Sequence, residues 1–132
     1  MLVSALDHVN LRTANLNDMI DWYTKFLGLK NGPRPNFGFP GAWMYLGDLP
    51  IVHIVAVEGD GGAGAEQALK LEHFALRGNS WAEFKTLLEA EGVRYELVTI
   101  EDFDILQCNI WDPDQNHIHV DFKLSESESK TS

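Results

Sequence analysis

Five histidines are the residues best suited to chemistry in this sequence, and four of them recur in a pattern. His8 in "LDHVNLR" and His73 in "LEHFALR" hold the same place in two matching stretches, each reading Leu, acid, His, two variable residues, Leu, Arg. His53 in "IVHIV" and His119 in "HIHVD" make a second pair, and the two pairs are separated by 65 and 66 residues. Neutral imidazole is the donor suited to divalent transition metals, here Zn, Ni, Fe, Co, Cu or Mn. A lone strand histidine is usually a half-buried side chain bonded to backbone. Four at repeat-related positions each cost desolvation unless something uses them, which favours a metal centre drawn from His8, His53, His73 and His119. The fifth, His117, shares a strand face with His119 and Asp121, because side chains two apart point the same way.

The elements that carry these residues repeat as well. After the first histidine strand, Leu16, Met19, Ile20, Tyr23 and Leu27 fall at helical spacing, and Gly28 stands where a left-handed cap is wanted. After the second, "SWAE" at 80–83 has the capping-box form, Trp81, Phe84, Leu87 and Leu88 make an apolar stripe, and Gly92 closes it. Extended segments follow near 29–34, 42–47 and 51–57, and again at 94–100, 104–111 and 117–122. Turn-rich stretches such as "GPRPNFGFPG" and "DPDQN" separate them. The pattern predicts an α+β fold: two tandem βαβββ modules, about 5–57 and 70–123, with sheets curving around a central cleft. They form one domain over 1–125, joined by a Gly-rich linker at about 58–69. The Ser- and charge-rich stretch 125–132 reads as a disordered tail.

Alternation sketches the walls of that cleft. Trp43 and Tyr45 share a strand face, and the helix-cap offset of 64 maps them onto Gln107 and Asn109. Either all four line a substrate cavity, or the aromatic pair is core and the polar pair faces solvent. Phe37 and Phe39, in the Gly/Pro-rich loop, either cover the cleft or anchor the loop.

Composition excludes several functions. Ten basic against twenty acidic residues leave a net charge of -10 and no Lys/Arg patch for phosphate, so no nucleic-acid partner is expected. No apolar run approaches membrane-spanning length and no signal peptide is visible. A single cysteine, Cys108, sits in an apolar run and reads as a buried hydrophobe, consistent with a reducing cytoplasm.

With these pieces in place, the chain resembles the vicinal oxygen chelate superfamily, which includes glyoxalase I, extradiol dioxygenases and the bleomycin-resistance proteins. The resemblance spans about residues 5–122 and rests on "LDHVNLRTANLNDMIDWYTKFLGL", "LEHFALR" and "DPDQNHIHVDF". It implies paired βαβββ modules around a cleft that holds a divalent metal with positions open to substrate oxygens, commonly in a homodimer. By position His8, His73 and His119 match the recurrent ligand sites, and His53 the fourth site of glyoxalase I. Two departures bear on the reaction. His119 stands where many members carry Glu, and His53 where glyoxalase I does, so the usual carboxylate base is missing. Gln115 also replaces the common Gly of the turn.

The leading expectation is a metal-dependent lyase, isomerase or dioxygenase acting on a small molecule that chelates through neighbouring oxygens. If only three histidines ligate the metal, His53 or His117 is the base, with Asp121 orienting the ring. The rival is a non-catalytic module that sequesters an aromatic or cationic compound, as the bleomycin-resistance proteins do.

Overall fold

A computed structural model describes residues 2, 5–59 and 69–129. The chain divides into two compact units, Met1–Ala63 and Gly64–Ser132. Most of the expected linker (60–68) and the last residues of the expected tail (130–132) lie outside the described residues.

The first unit runs β1 (Val9–Thr13), α1 (Leu16–Leu27), β2 (Lys30–Gly32), β3 (Gly41–Leu46) and β4 (Leu49–Ala56). The second runs β5 (His73–Arg77), α2 (Trp81–Ala90), β6 (Glu96–Ile100), β7 (Ile105–Trp111), β8 (His117–Lys123) and α3 (Leu124–Ser129). The two sheets have the same order, β1-β4-β3-β2 and β5-β8-β7-β6. In each, the first strand pairs parallel with the last and the other pairings are antiparallel. A parallel neighbour needs a crossover, and the helix with its following hairpin supplies it.

α1 ends at Gly28, whose φ of 71° lets its N–H reach the Thr24 carbonyl while Leu29 N–H reaches Tyr23. That conformation is cheap only without a Cβ. α1 buries Met19, Trp22 and Tyr23, and its sheet turns Ala42, Met44, Val52 and Ile54 inward. In α2 the Ser80 hydroxyl accepts the Glu83 N–H at 3.3 Å, as the capping pattern predicts. Trp81 and Phe84 then pack on the Phe122 ring of β8 at 5.7 and 5.6 Å. Gly78 lets the chain pass that ring, because a Cβ there would lie 2.3 Å from Phe122 Cε1.

In each unit, one sheet face carries the apolar core. The alternate positions, with the histidines, form the other face. Cys108 belongs to the core face, and burial pushes its thiol up to about 12, which rules out an activated nucleophile. Among the described residues no helix is long and apolar enough to cross a membrane.

One expectation is corrected here. Residues 124–129 form the helix α3 rather than a disordered tail, and Ser127 is buried. Asp104 organises its start from across the sheet: its carboxylate accepts Ser125 N–H at 2.7 Å and the Ser125 hydroxyl at 2.9 Å.

Candidate metal centre

The ladder registers give the true correspondence between the units. Asn10 lies opposite His53 and Ala75 opposite His119, so the last-strand histidines are equivalent. Trp43 faces His53 and Asn109 faces His119, which makes Asn109, not Gln107, the counterpart of Trp43. The hairpin is longer in the second unit: Gly32 pairs with Trp43, whereas Glu96 pairs with Asn109. The extra length is two residues, so faces are preserved while identities shift.

In the first unit His8 lies just before β1, and its ring stacks on His53 with centroids 3.7 Å apart. His53 in turn stacks on Trp43 at 4.2 Å. Phe37 continues the series at 6.2 Å from Trp43 and 5.4 Å from Phe39, with the Arg34 guanidinium over both Phe rings. Tyr45 is on β3 but outside the stack, its hydroxyl donating to the Pro33 carbonyl. His53 Nε2–H donates to the Pro50 carbonyl at 3.1 Å. Burial lowers the His53 pKa, and the charge of His8 lowers it further. Rings bound to one ion at about 2.1 Å have centroids roughly 4.6–5.3 Å apart, so His8 and His53 meet as a stack, not as a converging pair.

The second unit brings more together. His73, the first residue of β5, has its ring 4.5 Å from His119 and 5.2 Å from His117. The His73–His119 separation is close to that of two rings sharing one ion. His73 Nδ1 lies 2.6 Å from Glu72 Oε1, and His119 Nδ1 lies 2.6 Å from Asp121 Oδ1. A carboxylate only accepts, so Nδ1 carries a proton in both rings, and in the neutral ring the lone pair is left on Nε2. Carboxylate-held imidazole of this kind is the usual state of a metal-ligating histidine. The hydrogen bond from His73 is also the main cause of the lowered Glu72 pKa. His8 has the same partner type in the first unit, Asp7 at 2.7 Å.

His117 is set the other way round. Asn109 Nδ2 donates to the Glu96 carbonyl at 3.1 Å, which turns Asn109 Oδ1 toward His117 Nε2 at 2.7 Å. Nε2 is therefore the protonated atom, and Nδ1 faces Glu72 Oε1 at 3.4 Å. Trp111 stacks on this ring at 5.2 Å, with Arg94 over the indole. Glu72, His73 and His117 each offer a donor atom within 4.8 Å of the others.

Of the residues singled out from sequence, His73, His117, His119, Asp121 and Asn109 thus form one connected cluster. Gln107 lies on the same face, half-buried, opposite Asp121. The sequence reading missed Glu72 as a site residue. Its signal was present, as the acid preceding the histidine in both repeats.

The family model of the Glyoxalase/Bleomycin resistance protein/Dioxygenase superfamily matches residues 5–120. No curated protein matches the chain. Among solved structures, a Bacillus anthracis protein assigned to the glyoxalase family superposes with a TM-score of 0.76 at 20% identity, covering 93% of this chain and 98% of that one. Lactoylglutathione lyase from Agrobacterium tumefaciens gives 0.69 at 18% identity, covering 95% and 98%. A genomically encoded fosfomycin resistance protein from Listeria monocytogenes gives 0.70 at 15% identity, covering 96% and 99%. At these identities the structural likenesses establish the fold.

Proposed function

Since the chain belongs to the glyoxalase/bleomycin resistance protein/dioxygenase superfamily, we propose that it is a metal-dependent enzyme acting on a small molecule that chelates through neighbouring oxygens. The observation that carries this reading is the pair of imidazoles His73 and His119, each held through Nδ1 by its own carboxylate. Both present Nε2 as donor, and a divalent transition metal fits this set. When bound, it would act as a Lewis acid on the substrate oxygens and stabilise negative charge that develops there.

The remaining residues position these donors. His117 stands between Asn109 Oδ1 at its Nε2 and the Glu72 carboxylate at its buried Nδ1, and so helps to hold Glu72 beside His73.

The aromatic series from His8 through His53 and Trp43 to Phe37 favours a second reading, capture of a flat aromatic compound without catalysis. Metal analysis of protein purified without a His tag separates the two. The enzyme reading expects one equivalent of divalent metal, lost in His73→Ala and in His119→Ala. Metal-free protein, with those variants as stable as the parent, supports the capture reading instead.

A further inference from the structure

The three imidazoles of the second unit do not act as one set. His73 lies 4.5 Å from His119 and 5.2 Å from His117, while His117 and His119 are 6.1 Å apart. Rings at neighbouring positions on one ion have centroids about 4.6–5.3 Å apart, so the first two separations suit a shared ion and the third is too long. The nitrogens sort the same way. His119 is held at Nδ1 by Asp121 and offers Nε2. His117 is held at Nε2 by Asn109 Oδ1, and Asn109 is itself fixed by the Glu96 carbonyl and buried, so His117 offers Nδ1.

That nitrogen faces Glu72. Glu72 Oε1 lies 2.6 Å from His73 Nδ1 and 3.4 Å from His117 Nδ1, and one donor atom from each of the three residues lies within 4.8 Å of the others. In the neutral His117 ring the lone pair on Nδ1 and the carboxylate oxygen confront each other across a gap too long for a good direct hydrogen bond. Two acceptors so placed attract a cation between them. Two imidazole nitrogens and a carboxylate oxygen suit a borderline divalent ion such as zinc or cobalt. Access is from the Glu72 side, since the side chains of Glu72 and His73 are 58% and 39% exposed and that of His117 only 11%. The first unit repeats the acid-His pair as Asp7 and His8, but Ile51 stands at the place of His117, so the third donor belongs to the second unit alone.

We propose that Glu72, His73 and His117 form a second divalent-ion position, beside the His73–His119 pair and weaker than it. An ion there takes the place of the proton on His73 Nδ1, which passes to solvent, a deprotonation that the first position does not require. The proposal rests on the enzyme reading for the order in which the two positions fill, while its donors are a property of this cluster.

Zinc titrated into the metal-free full chain against a chromophoric chelator tests it. The parent should take two equivalents, the second more weakly. His117→Phe keeps a flat ring against Trp111 and removes both nitrogens, and it should lose the second equivalent while keeping the first. Glu72→Gln should lose the second as well, and should weaken the first about 10–100-fold because Glu72 also holds His73. His119→Ala and Asp121→Asn should do the reverse, losing or weakening the tighter equivalent and leaving the other in place.

A parent that takes only one equivalent at saturating zinc, lost in His119→Ala, overturns the proposal and leaves the enzyme reading standing. A second equivalent that persists in both His117→Phe and Glu72→Gln is an ion on the acidic surface and overturns it too. A single equivalent lost in His117→Phe but kept in His119→Ala supports the Glu72–His73–His117 position and refutes the other pair. If His117→Phe does not fold, Glu72→Gln, at an exposed side chain, carries the comparison.

Discussion

Replacing Asp121 with Asn removes the charge that holds His119 while keeping nearly the same shape. In the native protein His119 Nδ1–H meets the carboxylate at 2.6 Å, a short contact of the charge-assisted kind. An amide oxygen can still accept, but it neither raises the basicity of Nε2 nor fixes the tautomer, since the amide NH2 competes for the same place. Loss of such a partner typically lowers metal affinity by about 10–100-fold, or about 1.4–2.8 kcal/mol. The fold should lose less. The Asp121 side chain is 29% exposed, so the cost to unfolding should be about 1 kcal/mol or below. The assay is competition for zinc against a chromophoric chelator, with urea unfolding of the metal-free protein run in parallel. Affinity unchanged within twofold, in a variant that folds normally, refutes the claim that His119 is a metal donor held by Asp121.

Three further outcomes are expected. Asp112 is 1% exposed, and its carboxylate accepts Asp114 N–H at 3.0 Å, Asn116 N–H at 2.9 Å and Asn116 Nδ2 at 2.9 Å, so Asp112→Ala should cost about 2–4 kcal/mol in urea unfolding. Gln115 sits in the same turn at a φ of 69°, where a side chain is strained, and Gln115→Gly should raise stability by about 1 kcal/mol. His53 has its pKa lowered by burial and by His8, so folding favours its neutral ring. Its contribution is therefore present above the unfolded value near 6.5 and lost as the pH falls below it, and His53→Gln should flatten the decline in stability measured between pH 7.5 and 5.5.

Much of this arrangement was legible in the sequence because the chain states it twice. The repeated "acid-His" strands, the Gly28 cap and the Ser80 capping box each act within a few residues, where spacing alone decides the outcome. The strands fall within a few residues of their expected bounds for the same reason. The errors occur where distance in sequence hides a contact. The offset that mapped Trp43 onto Gln107 came from the helix caps, and the longer second hairpin shifts the match to Asn109. α3 looked too polar to be ordered, but its cap, Asp104, lies 21 residues upstream. The ring tautomers depend on Glu72, Asp121 and Asn109 meeting particular nitrogens, which only the ladder registers reveal.

X-ray absorption spectroscopy of the metal-loaded protein tests the central claim most directly, because outer-shell scattering counts imidazole ligands. At least two imidazoles are predicted on the metal in the parent, with one fewer in His119→Ala and one fewer in His73→Ala. A shell of oxygen donors alone, or an imidazole count that neither substitution changes, would contradict the account.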